Sequence, residues 1–255
     1  MTIQRINSGR GHWYKVDGKK ADGVTTAIKQ GLPAPALMYW SARCVAEFVA
    51  DNREHVRECM DWMDRDQLVR LLKETPWSAR DKAAVRGTEV HALAEKITHG
   101  EEVDVPDHLT GYVASAVAFL DDWEAEPVVT EAVVGHHKWG YAGTLDAVYR
   151  LPGGRIALSD WKTGASGIWP ETVLQLNAYA NADTYMDGEG EHPMSELGIT
   201  EAFAVHVRED GYSVHPIPLT DGCFQTFLYC LAISRWAKNA KQLIGDPVPA
   251  PEAVA

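Results

Sequence analysis

The sequence predicts an α/β fold, a mixed β-sheet flanked by helices, and three observations carry that expectation. From residue 76 onward the hydrophobic periodicity runs in the order helix, three strands, helix, strand. Pro152-Gly153-Gly154 marks a turn between two strand-like stretches, 142–151 and 155–161. A length of 255 residues with 45% hydrophobic content is enough to bury one full core. A single domain is expected over 1–245, made of an N-terminal β element and helical insert (1–75), a core (76–219) and a C-terminal helix (220–245). The Pro/Ala-rich tail, 246–255, is expected to be disordered.

In chain order, His12-Trp13-Tyr14-Lys15-Val16, an Asp17-Gly18 turn and Gly23-Val24-Thr25-Thr26-Ala27-Ile28 read as a hairpin or pair of strands. Residues 36–75 read as helical, with Leu37, Trp40, Cys44 and Phe48, then Leu68, Leu71 and Leu72, at helical spacing. Past Pro76, Ser78 can cap a helix carrying His91. A second helix spans 108–123, and 127–134 reads as a strand leading into the Pro152 hairpin. Pro170 opens a helix reaching about 183. An acidic loop follows, then strands over 199–207 and 212–217 around Asp210-Gly211, and a last helix over 221–243.

The hairpin gathers the residues with the most chemistry. If Leu151 and Arg155 flank the turn as a pair, antiparallel register sets Val148 opposite Leu158, Asp146 opposite Asp160 and Thr144 opposite Lys162. Two facing carboxylates destabilise a sheet unless a cation lies between them, and a divalent ion with the Lys162 ammonium would supply that charge. The alternative is a solvated face on which these groups point into water. Val148, Ile156 and Leu158 share the face and argue for its burial. A one-residue slip in register would separate the aspartates.

Gly143-Thr144-Leu145-Asp146 and Asp160-Trp161-Lys162, with a histidine in an upstream helix (Arg86-Gly87-Thr88-Glu89-Val90-His91) and Gln175-Leu176-Asn177-Ala178-Tyr179 downstream, resemble the PD-(D/E)XK nuclease superfamily, in its RecB-like branch. The resemblance is to phage-type stand-alone exonucleases and, more distantly, to CRISPR adaptation nucleases; the Tyr-x-Val-Asp-Gly and Val-Thr-Thr stretches near the N-terminus fit it more loosely. It implies a restriction-endonuclease-like αβββαβ core and Mg²⁺- or Mn²⁺-dependent hydrolysis of DNA in recombination, repair or phage DNA metabolism. Asp146, Asp160 and Lys162 are then catalytic, with Gln175 and Tyr179 facing them. His91, Asp146, Asp160 and the main-chain carbonyl of Trp161 are the implied metal ligands, and an imidazole in that set suits Mn²⁺ as well as Mg²⁺. Arg86, Lys138, Thr163, Gln175 and Tyr179 are the candidate DNA contacts.

Each residue also has an ordinary reading. A lone helical histidine is most often packed or solvated, and Gln175 and Tyr179, four apart, form a polar helix face with or without a site. Glu95 and Glu131 are weaker candidates, placed to support the ligands or to be plain surface acids. Two other readings stay open: a nuclease-fold protein that binds DNA or a partner without cutting, and a structure-specific endonuclease.

A net charge of −12 argues against a phosphate-binding surface. The acid is concentrated in 51–66 and 187–201, however, whereas 135–165 holds Lys138, Arg150, Arg155 and Lys162 against Asp146 and Asp160. His136, His137 and Lys138 stand before the first aspartate and could meet a phosphate. Cys44, Cys59, Cys223 and Cys230 include no C-x-x-C pair and lack the one-plus-three spacing of iron-sulfur relatives, which favours buried free thiols over a cluster. No apolar run approaches the roughly 20 residues that span a bilayer, and Met1-Thr2-Ile3-Gln4-Arg5 shows no secretory pattern. A cytoplasmic protein is expected, in the host cytoplasm if the source is viral, with single- or double-stranded DNA as partner. No Walker-type segment is present. Unwinding is therefore expected from a helicase in trans, alongside a recombinase or single-strand-binding protein.

Overall fold

The computed structural model describes residues 2–9 and 11–248. Three strands open the chain, β1 (Ile3–Ser8), β2 (Gly11–Val16) and β3 (Lys19–Gly23). Asp17 and Gly18 join β2 to β3 with φ of 50° and 74°, the left-handed pair a two-residue hairpin turn requires. The expected strand over residues 23–28 is instead the start of a helix, α1 (Val24–Gly31). Val24, Ala27 and Ile28 are buried while Thr25 and Thr26 are exposed, so burial at helical spacing overrides the β preference of a Val-Thr-Thr run.

The insert is helical, as expected: α2 (Pro35–Asp51), α3 (Arg53–Trp62) and α4 (Arg65–Thr98). α4 does not begin at Ser78. Asp64 and Gln67 form a reciprocal capping box that starts the helix earlier, and Pro76 lies inside it. The expected division at 75/76 therefore falls within one helix of 34 residues, about 50 Å long.

The rest of the chain comprises α5 (Thr110–Asp122), β4 (Glu126–Thr130), β5 (Val133–His136), β6 (Tyr141–Thr144), β7 (Ala147–Leu151), β8 (Arg155–Lys162), α6 (Glu171–Ala180), β9 (Thr184–Met186), β10 (Glu191–Pro193), β11 (Glu201–Arg208), β12 (Gly211–Ile217) and α7 (Asp221–Asn239). The acidic stretch after α6 holds the β9–β10 hairpin, turned by Asp187, whose carboxylate accepts from the N–H groups of Glu189 and Gly190. α7 ends sooner than expected, with a single 3-10 turn to Leu243. Of the expected disordered tail, 246–248 show no regular structure and 249–255 lie outside the described residues.

Two mixed sheets result. One has five strands in the order β12-β11-β8-β7-β4, with β8 and β11 parallel and α6 in the crossover between them. The other has seven, β1-β2-β3-β6-β5-β9-β10. Each of the two expected strands, 127–134 and 142–151, is divided between the sheets, as β4 and β5 and as β6 and β7. Together they make one long ribbon bent at Glu131 and Asp146. Backbone bonds continue across the bend, from Glu131 N to Asp146 O and from Leu145 N to Ala132 O, both 2.9 Å.

The hairpin register is the expected one from Leu151↔Arg155 through Val148↔Leu158. It stops at Ala147↔Ser159, one step short of Asp146 and Asp160. The Thr144–Lys162 pair does not form: Thr144 has turned into the other sheet beside Val133, and Lys162 pairs with His206 on β11. Val148, Leu158, Tyr141, Leu176 and Phe227 pack into the main core with α1, α6 and α7. The opposite face of the five-stranded sheet closes on α5 through Phe119, whose ring meets Trp161 edge-on at 5.4 Å. Cys44, Cys59, Cys223 and Cys230 are free thiols on α2, α3 and α7. Among the described residues no helix is long and apolar enough to cross a membrane.

Candidate metal centre

The bend in the ribbon is where the acidic side chains meet. Glu131 adopts φ 47°, a left-handed conformation that costs a non-glycine residue about 1 kcal/mol or more and that concentrates at functional sites. This conformation passes the chain from β4 to β5, leaving Glu131 and Asp146 at the crease. α4 crosses the same place with Val90 and Ala94 buried, bringing His91 and Glu95 to the cavity.

Ligand atoms of His91, Glu131 and Asp146 all lie within 4.8 Å of one another. One oxygen of Asp146 accepts the Trp161 N–H at 2.7 Å and lies 3.6 Å from His91 Nδ1. The other ring nitrogen, Nε2, donates to the Trp161 carbonyl at 3.0 Å. The implied main-chain ligand is thus directed at the histidine. Burial first, and then the facing Asp146, push the Glu131 carboxyl up to about 7, with His91 pulling the other way. Two carboxylates share the crease, and Arg5 joins His91 in opposing the rise at Glu131. Thr98, Thr130, Ala147 and Tyr149 complete the wall around them.

Beside this crease lies a second arrangement. Asp160 is 1% exposed on β8, the Lys162 ammonium contacts one of its oxygens, and Gln175 Nε2 donates to the other at 2.7 Å. Gln175 also accepts from Lys162 Nζ at 3.4 Å and donates to the Tyr179 hydroxyl at 3.3 Å. Burial lifts the Asp160 pKa, and Asp146 adds to this while Lys162 opposes it. Burial works to lower the Lys162 pKa, but Asp160 and Asp146 outweigh it and hold the side chain charged, above its ordinary value. The Tyr179 phenol stays neutral, raised by burial and by the same two aspartates.

Gly143 has a steric reason. A Cβ there would lie 2.5 Å from Tyr179 Cε1, so the ring reaches Gln175 only because position 143 has no side chain. Arg86 Nη2 donates to the Thr163 carbonyl at 3.4 Å, with its guanidinium over the Tyr112 ring at 5.2 Å, at the end of β8.

The structure therefore brings together His91, Asp146, Trp161, Asp160, Lys162, Gln175, Tyr179, Arg86, Thr163 and Glu95. It separates Lys138 from them. Lys138 sits over Trp139 in the turn at the far end of the β5–β6 hairpin, on the order of 15 Å along the strands from the crease. His136 and His137, also expected near a phosphate, are held by acids instead: His136 by Asp183 at 2.7 Å, and His137 by Asp17 at 3.0 Å and Glu191 at 3.1 Å. Glu131, expected to be a peripheral acid, joins the ligand atoms directly, whereas Asp160 is engaged by Gln175 and Lys162. One signal pointed to Glu131: it is the single charge in the otherwise uncharged run from Pro127 to Val134.

No protein-family model matches the chain, and no curated protein matches it. Among solved structures, one described as the crystal structure of SSO0001 is similar over 65% of this chain and 72% of its own, at 16% identity and a TM-score of 0.26. A likeness of that size carries no argument about function.

Proposed function

We propose that this protein is a divalent-metal-dependent deoxyribonuclease of the PD-(D/E)XK type in its RecB-like branch, an exonuclease hydrolysing phosphodiesters. The observation that carries the reading is the crease itself. His91, Glu131 and Asp146 converge within 4.8 Å, and an ammonium stands on the adjacent aspartate. The order α5, β4, β7, β8, α6, β11 supports it, since it is the αβββαβ sequence expected of that fold.

The donor set fits Mg²⁺ or Mn²⁺: carboxylate oxygens, a peptide carbonyl and one imidazole. When bound, such an ion polarises the scissile phosphate and offsets the charge of the crease. The protein's own groups do the rest. Asp146, fixed by the Trp161 N–H, and Glu131 and His91 hold the binding geometry. Lys162 remains an ammonium and orients the attacking water while stabilising the charge that builds on the phosphoryl oxygens. Gln175 keeps Asp160 and Lys162 in register, and Arg86 at the end of β8 is a phosphate donor.

Cleavage of end-labelled single-stranded, duplex and branched DNA with Mg²⁺, Mn²⁺ or EDTA tests the proposal. Metal-dependent release of mononucleotides or short products from an end is expected. Asp146→Ala should reduce it on the order of a thousandfold, the weight of several kcal/mol of transition-state stabilisation. DNA binding without metal-dependent cutting would overturn the catalytic reading in favour of a binding protein, and internal nicking would replace exonuclease with endonuclease. With duplex substrates, strand separation would come from a helicase in trans.

A further inference from the structure

α4 continues well beyond the site it serves, and the same face of it carries an exposed aromatic. Arg80 precedes His91 by 11 residues, which is three helical turns, so both project from one face with about 16 Å between them along the axis. Trp77 lies one turn further out, about 21 Å from His91. Trp77 is 55% exposed as a residue, and the Arg80 guanidinium lies over its indole at 4.6 Å while paired to Asp81 at 2.7 Å. A tryptophan left that open, with one face held by a guanidinium, offers its other face to a flat partner. The surrounding charge has the sign a phosphate backbone needs. In a chain of net charge −12, residues 65–86 hold six basic side chains (Arg65, Arg70, Lys73, Arg80, Lys82, Arg86) against three acids (Asp66, Glu74, Asp81).

We infer that Trp77 and Arg80 form a stacking platform for one base of a single-stranded nucleic acid whose backbone runs along α4 to the crease. The position of the platform relative to a cut rests on the nuclease reading above; its affinity for single strands does not. A stacked strand rises about 3.4 Å per residue, so 16–21 Å places the platform about five or six nucleotides from the metal-binding residues. The single strand is the occupant the geometry favours, because only unpaired bases present a free ring face along the strand. Arg86, between the platform and β8, lies on the path as a phosphate contact.

Anisotropy of a fluorescein-labelled 16-nucleotide oligothymidylate, and of a blunt duplex of the same length, measured with the full chain in EDTA, tests this without any cleavage. Trp77→Ala and Arg80→Ala are expected to weaken single-strand binding about 5- to 100-fold and leave duplex binding within about twofold, while Trp77→Phe retains most of the affinity. Single-strand binding by Trp77→Ala equal to wild type would overturn the platform, as would equal losses for strand and duplex or no single-strand binding by the wild type. If the protein cuts DNA yet Trp77→Ala binds strands normally, the platform alone fails. If Trp77 governs binding and nothing is cut, only the nuclease reading fails.

Discussion

Two acidic groupings stand side by side in this protein and balance their charge in opposite ways. Asp160 is buried with its own cation, the Lys162 ammonium paired to one oxygen and an amide N–H on the other. Asp146 and Glu131 face each other across a cavity with one peptide N–H and one imidazole between them. A buried carboxylate with its own cation is a fixed part of the scaffold, whereas two that share a crease without one favour a proton or a metal ion. The contrast separates a carboxylate that has its own cation from two that share a raised proton affinity.

The largest effect is expected at Asp160. Lys162→Ala leaves a 1%-exposed aspartate without its cation and should cost about 3–5 kcal/mol, lowering the thermal midpoint by about 10 °C. The double variant Asp160→Asn/Lys162→Met should recover most of that midpoint and still fail to cut DNA. A Lys162→Ala protein that melts with the wild type would break the contrast. Gly143→Ala tests how the two halves are joined. Its methyl would meet the Tyr179 ring at 2.5 Å, and the displaced ring should cost about 1–3 kcal/mol, read by thermal denaturation. The smallest effect, of opposite sign, belongs to the crease. Glu131→Gln removes one of two facing carboxylates and should raise the midpoint in EDTA by about 2–4 °C, while weakening stabilisation by Mn²⁺ at least tenfold. A lower midpoint in EDTA would show that the crease carries no repulsion.

Much of the site was legible along the chain because its signals are local. Pro152-Gly153-Gly154 set the turn, and alternation then determined which residues share a face, so the register from Leu151 to Val148 follows from a few positions. Gln175 and Tyr179, one turn apart, needed only helical geometry to be paired. The errors share one cause. The Val-Thr-Thr run of α1 looked like strand, and Pro76 looked like a boundary, because both local preferences yielded to contacts made elsewhere: packing of Val24, Ala27 and Ile28 into the main core, and a helix begun upstream by Asp64 and Gln67.

By itself, then, the sequence determined the α/β class, the hairpin register from Leu151 to Val148, the shared face of Asp160 and Lys162 and the shared helix face of Gln175 and Tyr179, while the family resemblance supplied His91 and the turn of that helix face toward Asp160. Only the tertiary structure decided that the hairpin strands bend between two sheets at Glu131 and Asp146, which moved Thr144 away from Lys162, put Lys138 at the far end of a ribbon and brought Glu131 to within 4.8 Å of His91 and Asp146. The physical reason is that alternation specifies which way a side chain faces but carries no information on which sheet its strand joins. That choice depends on partners distant in sequence, β3 and β9 for one half of the ribbon and β8 for the other.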